Sequence, residues 1–458
     1  MKFIGRKTEL KILENAFASD RYEGILVYGR RRVGKTEMIK EAIKNTDAIS
    51  IYYESKRVTD ALNAEGLCEV MAEAFDIPVP SFPTVEKAVE YIFEKAGERK
   101  IILIIDEYPY LREKIPGCDS IIQSIVDKYI NISNIKFILC GSYVDTMKNL
   151  ADESNPLFGR MTIKLNIKPL DYYESAKFYP DFSNEDKVRL YSVFGGVPFY
   201  LQYIDGSKSV KENILELIAS PNARLINEVE QTISTEIKKI VNINETFTAI
   251  AAGNHTFSDI LNNSHVSSSP TLADVLNKLI GMDIVARIIP INEKNGKHAI
   301  YEISDRMSLF YYTYIFRKSS FFNTMPSDLF YDEFISEDFE TNFVPKAFEL
   351  ISKQFLLRMN LMKKIEPVLY DVGKYYYNDS KNHKNGEFDV VTLNRNGYDF
   401  YEVKFISHPI DDAVAAEEKK QLDEAPIEYN RMGFFSKSGF NLSTPEKYIL
   451  YTLDDLYE

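Results

Sequence analysis

Two stretches of this 458-residue chain space their residues for chemistry. The first reads Gly29-Arg30-Arg31-Arg32-Val33-Gly34-Lys35-Thr36; it follows the apolar run Ile25-Leu26-Val27-Tyr28 and opens a helical stretch through Ala42. In a GxxxxGKT loop of this kind the glycines let backbone N–H groups turn toward phosphate, the lysine reaches the β and γ oxygens, and the threonine hydroxyl can ligate Mg2+. The second stretch, GEFDVVTLNRNGYDFYEVKF at residues 386–405, sets Asp389, Glu402 and Lys404 into two apolar-rich runs around an Asn-Gly turn.

The elements that must position the phosphate loop are buried strands. Ile101 to Ile105 is a continuous run of large aliphatic residues ending in Asp106-Glu107. Such a strand, buried on both faces of a parallel sheet, presents its C-terminal carboxylates to the ligand crevice. There Asp106 would hold Mg2+ through its water shell, and Glu107 would orient and polarise the attacking water. A third run, residues 136–140, ends in Gly141-Ser142. The Ser142 hydroxyl either senses the γ-phosphate or is a small turn residue or helix cap. Arg160, in Pro156-Leu157-Phe158-Gly159-Arg160, is either a surface cation or a transition-state cation. The three arginines of the loop read as solvated charge.

For the second stretch, a two-residue Asn396-Gly397 turn pairs Arg395 with Tyr398 and puts Asp389 opposite Lys404. A four-residue turn over 394–397 shifts the register, and either even turn keeps Asp389, Glu402 and Lys404 on one sheet face. Two carboxylates and a lysine on one face are hard-ligand chemistry for Mg2+, with Lys404 orienting or helping to deprotonate water. The competing reading is a surface ion pair between Asp389 and Lys404, worth about 0–1 kcal/mol. A helical pattern at 343–359 is apolar at Val344, Phe348, Ile351 and Phe355.

The bulk numbers bound the function. A formal charge of −13 opposes long-range attraction to nucleic acid, so such binding needs a local basic patch or a divalent metal. Three cysteines without metal spacing fit a reducing cytoplasm, and no apolar run approaches the roughly 18 residues that span a bilayer. None of the five histidines forms a zinc pair, although His383 lies near Asp389 in sequence. Residues 240–320 read as helices and then a hairpin wing with balanced charge, which suits protein packing at least as well as groove binding.

FIGRKTEL at 3–10, GRRRVGKT, IILIIDE, FILCGS, PLFGR and GGVPFY at 195–200 resemble, in that order, the archaeal-type ATPases related to the AAA+ and STAND classes. The resemblance implies ATP and Mg2+ as ligands, Gly5 and Arg6 near the nucleotide, Ser142 as sensor, Pro198 of a helical lid near the adenine, and Arg160 at the arginine-finger place. The C-terminal region, with Glu402-Val403-Lys404 as the ExK element and GFFSKSGF at 433–440, resembles the PD-(D/E)xK nuclease superfamily and the uncharacterised domain attached to these ATPases, and the resemblance implies a further acid from a preceding helix, for which Glu349 in the pattern at 343–359 is the candidate. The expected architecture is α/β: a P-loop NTPase parallel sheet (1–170), a helical lid (171–235), a winged helix (236–320), a linker (321–336) and a restriction-endonuclease-like α/β domain (337–458). Expected partners are ATP and DNA or RNA, with a homo-oligomer open and no membrane. The alternative is a STAND-like ATP-driven switch with a silent, partner-binding C-terminal domain.

Overall fold

The structure, a computed structural model, describes residues 3–236, 242–379 and 384–458. They form two compact units, one of Met1–Pro169 with Gly281–Asp283, the other of Leu170–Ile280 with Ile284–Glu458.

The first unit is a five-stranded parallel sheet of β1 (Glu23–Tyr28), β2 (Ile49–Glu54), β3 (Ile101–Asp106), β4 (Lys136–Gly141) and β5 (Ile163–Asn166), in the order β2-β3-β4-β1-β5. Alternation along β3 explains its unbroken aliphatic run. Ile101, Leu103 and Ile105 enter one core layer with Leu67, Val89 and Phe93, while Ile102 and Ile104 enter the other with Val33, Met38 and Ile39. Because β4 lies between β1 and β3, the strand ends carrying Gly29, Ser142 and Asp106 come together at one sheet edge.

In the second unit, the helices Ile243–Ala251, Phe257–Asn263 and Ser269–Gly281 precede an antiparallel pair, β6 (Val285–Ile288) and β7 (Ile300–Ile303). The stretch expected as a linker is instead helical: Ser319–Thr324 and Ser327–Phe334 bury Phe322 and Phe330. Its polar residues and Pro326 mark a helix junction, with the proline at the start of the second helix, where a missing N–H is tolerated. Neither 236 nor 337 separates units.

The C-terminal sheet has β8 (Leu369–Asp379), β9 (Lys384–Asn394), β10 (Gly397–Lys404), β12 (Arg431–Ser436) and β14 (Ile449–Thr452), in the order β14-β12-β10-β9-β8. A short pair, β11 (Ile410–Asp411) and β13 (Phe440–Asn441), lies beside it in sequence. Strands β8, β9 and β10 are antiparallel neighbours, and β12 and β14 add in parallel. The helix Val344–Leu361 buries Val344, Phe348, Ile351 and Phe355 as its pattern predicts.

The register between β9 and β10 moves the expected Asn396-Gly397 turn back by one residue. Gly397 lies opposite Asn394 and Tyr401 opposite Val390, with Arg395 and Asn396 in the turn. Asn394 sets this. Its side-chain oxygen accepts from the Asn396 N–H at 2.8 Å, and its amide donates to Asp399 at 2.8 Å. This is the register of the four-residue alternative, and Asp389 does not pair with Lys404.

Candidate functional site

The phosphate loop is shaped by its glycines. A Cβ on Gly29 would sit 2.1 Å from the carbonyl oxygen of Ile167, and Gly34 has φ +86°. The Lys35 ammonium donates to the carbonyls of Gly29 (2.9 Å) and Arg30 (3.1 Å), so it lies folded over the loop it serves. Buried Arg6 braces the loop from outside by donating to the carbonyls of Val33 (2.8 Å) and Lys168 (2.6 Å). Arg31 donates to the Tyr110 hydroxyl at 3.1 Å, which gives one of the expected solvated arginines a definite partner.

Thr36 Oγ1 donates to Asp106 Oδ2 at 2.8 Å, bringing together the hydroxyl and carboxylate that the sequence assigns to Mg2+. The Tyr52 hydroxyl on β2 donates to the same oxygen at 2.5 Å, and the Glu107 N–H donates to Asp106 Oδ1 at 2.8 Å. Burial alone would raise the Asp106 carboxyl. Hydrogen bonds from Tyr52, Cys140 and Thr36 outweigh it and hold the group below the ordinary carboxylate range. An ionised carboxylate beside a threonine hydroxyl is the hard-oxygen donor set that Mg2+ takes, so these residues fit the cation.

Glu107 caps the helix Tyr108–Lys114 with left-handed backbone, φ 48°, strain of about 1–2 kcal/mol for a non-glycine residue. Its carboxylate accepts from Ser142 Oγ at 3.0 Å. Burial pushes the Glu107 carboxyl up, and Asp106 adds to that against the pull of Lys35. A carboxylate with a raised proton affinity, held by a hydroxyl beside the phosphate loop, is suited to take a proton from water.

Arg160 falls elsewhere. Its carbonyl oxygen lies 2.0 Å from where a Gly24 Cβ would be, at the N-terminal end of β1 and so at the sheet edge opposite the loop. Its guanidinium is paired with Asp127 at 2.8 and 2.9 Å. It does not take part in its own chain's phosphate site, because β1 separates the two by its whole length. Pro198 begins the short helix Pro198–Leu201 of the second unit.

At the C-terminal site lysines hold the carboxylates. Lys374 on β8 donates to Asp389 at 2.6 Å and lies 3.3 Å from Glu302 and 3.6 Å from Glu387. Lys404 bridges Glu402 (2.9 Å) and Glu418 (2.7 Å). Glu349 is pushed up to about 8 by burial and then by Asp389, with Lys374 and Lys353 opposing and Glu402 adding a smaller push. Burial likewise raises Glu402. Asp389, Glu402 and Glu349 therefore feel one another, as acids sharing a cation would. Yet no group of three or more His, Cys, Asp or Glu side chains stands ready to hold a metal among the described residues. The donor chemistry fits a hard cation, whereas the present conformation gives that place to ammonium groups. His383 lies outside the described residues.

Sequence reasoning missed Tyr52, Lys353 and Lys374. Lys353 carried a signal, since it stands four residues after Glu349 on a helix. Tyr52 and Lys374 reach their aspartates only through strand order.

Residues 3–204 match the ATPase domain found predominantly in Archaea, and residues 311–420 match a family described as archaeal and bacterial proteins of unknown function. The uncharacterized ATP-binding protein MJ0423 of Methanocaldococcus jannaschii is 46% identical over 43 residues, 9% of this chain and 73% of that protein. The Walker-type ATPase PABY2304 of Pyrococcus abyssi shares the fold at TM-score 0.51 and 18% identity, over 68% of this chain and 96% of that one. This likeness supports a fold like that of P-loop ATPases, and the family match supports an ATP-hydrolysing enzyme. No helix among the described residues is long and apolar enough to cross a membrane. The uncharacterized protein MJECL04 of M. jannaschii is 30% identical over 410 residues, 88% of this chain and 87% of that protein, and the chain belongs to one family with it, carrying the archaeal-type ATPase domain at its N-terminal end.

Proposed function

We propose that the chain is a Mg2+-dependent ATP hydrolase whose nucleotide cycle controls a nuclease-like C-terminal domain acting on nucleic acid. The observation that carries the ATPase part is the contact of Thr36 and Tyr52 with one oxygen of Asp106 beside Lys35. Lys35 exchanges its carbonyl partners for phosphate oxygens, Thr36 and Asp106 hold the cation, Glu107 orients and deprotonates water, and Ser142 fixes the Glu107 carboxylate. The cation, when bound, neutralises charge developing on the phosphate oxygens. Arg160 can serve only a neighbouring copy, after leaving Asp127, so a finger role requires a homo-oligomer. Three free, buried cysteines accord with a cytoplasmic setting.

The nuclease part is supported by the strand arrangement, an antiparallel β8-β9-β10 meander extended in parallel by β12 and β14, with Asp389, Glu402 and Lys404 on its central strands. Glu349 adds a third acid from the covering helix. The three helices and hairpin of residues 243–303 support a winged-helix reading for that segment.

The second reading, an ATP-driven switch with a silent partner-binding domain, is favoured by the lysines already seated on the C-terminal carboxylates. Asp389→Ala and Glu402→Ala decide between the two. Under the nuclease reading each variant loses Mg2+-dependent cleavage of DNA or RNA while ATP turnover stays within twofold. A wild type that cleaves no nucleic acid, with or without ATP, leaves the switch.

A further inference from the structure

The hairpin of β6 and β7 does not stand away from the C-terminal sheet. Its connecting loop lies along the edge strand β8: the Ile291 N–H donates to the Lys374 carbonyl at 2.8 Å, and Asn292 Nδ2 donates to the Tyr376 carbonyl at 2.7 Å. The Tyr376 N–H returns a bond to Asn292 Oδ1 at 3.2 Å. The His298 ring stacks on Tyr376 at 4.0 Å between centroids, 18° from parallel. Hairpin and sheet edge thus enclose a groove of about 420 Å3.

Its walls are chemically mixed in a particular way. Tyr301 and Tyr376 provide aromatic surface, while the Tyr375 ring packs away against Tyr398 and Phe400, and Asn385 and Glu387 provide acceptors. Lys297 stands exposed at the lip, while Lys374 is buried at the inner end. Lys374 is also the residue bonded to Asp389, so the groove ends at the candidate C-terminal site. A space of this volume suits a small-molecule-sized group and has no room for a duplex, which is read on its outside. Flat aromatic surface beside an exposed ammonium group is how unpaired bases and their phosphates are bound without sequence preference.

We infer that this groove takes one nucleotide of an unpaired nucleic-acid strand, the base against Tyr376 and its phosphate at Lys297, with Lys374 kept by its carboxylates at the inner end. This rests on the nuclease reading and names its substrate class: single-stranded ends or gaps. It also gives the hairpin a task other than entering a duplex groove, which the balanced charge of its segment does not favour.

The test is fluorescence anisotropy of the full chain in EDTA, where nothing is cut, with labelled 20-nucleotide DNA and RNA single strands and the matching duplexes. The expected result is single-strand binding at least tenfold tighter than duplex binding, weakened about tenfold by Tyr376→Ala and by Lys297→Glu, with ATP turnover unchanged. DNA and RNA arms show whether the 2′-hydroxyl matters. Equal affinity for strand and duplex, or binding indifferent to both substitutions, overturns the inference. Asp389→Ala separates it from the reading beneath it. Strand binding kept by a chain that never cleaves sustains the groove and removes the nuclease; cleavage of duplex with no strand preference does the reverse.

Discussion

Asp106 and Asp389 are both carboxylates set into strands of sheets, and their surroundings differ in one respect that governs what each can do. Asp106 is held by neutral donors, the hydroxyls of Tyr52 and Thr36 and the N–H of Glu107, so its charge is kept and uncancelled. Asp389 is held by an ammonium, Lys374, and Glu402 by another, Lys404. Neutral hydrogen bonds leave a site attractive to a cation, whereas an ion pair has already satisfied it. The first site keeps the charge that a divalent cation needs, whereas the second must be opened before one can enter.

The largest expected effect breaks the first site. Lys35→Ala removes the only ammonium of the phosphate loop, and ATP turnover should fall by roughly 10²–10³-fold in a coupled phosphate-release assay. Unchanged turnover would remove the phosphate-binding role. A pH titration probes the held site. Glu349 sits at about 8 in the fold against an ordinary value of 4.5, so the folded state keeps a proton that the unfolded state gives up. Wild type should lose melting temperature relative to Glu349→Gln as pH rises between those values, with no difference below about 4.5. Parallel melting curves across pH 4–9 would contradict the crowding of the three acids.

The smallest effect returns to Asp106. Tyr52→Phe removes one hydrogen bond to a charged, buried oxygen, worth about 1.5–3 kcal/mol. Asp106 titrates below its ordinary 3.8 when folded, so its stabilisation is present above that value and is lost as pH falls through the folded one. The variant should therefore begin acid unfolding at a higher pH than wild type, read by circular dichroism between pH 6 and 2. Onset at the same pH would mean the Tyr52 contact adds nothing.

How much of this was legible follows from the distance over which each feature is encoded. The phosphate loop is local: glycines, lysine and threonine lie within eight residues, and the strand before them and helix after them are continuous in sequence. Asp106, Glu107 and Ser142 could be placed because a parallel sheet aligns the ends of its strands. Tyr52 could not, because only the strand order makes β2 the neighbour of β3. In the hairpin, parity was legible but register was not. The Asn-Gly pair suggested the turn, and the Asn394 side chain moved it back one residue by bonding the Asn396 N–H. The lysine that answers Asp389 comes from β8, 15 residues earlier in the chain, and only the pairing of β8 with β9 brings the two together.

The contrast between the two aspartates is tested most directly by counting bound Mn2+, in place of Mg2+, on the full chain by electron paramagnetic resonance with and without ATP. The account predicts two independent classes. One requires ATP and disappears in Lys35→Ala. The other is weak and present without ATP, disappears in Asp389→Ala, and tightens at least tenfold in Lys374→Met, where the ammonium no longer competes. A single ATP-dependent class, the same in wild type, Asp389→Ala and Lys374→Met, would contradict it.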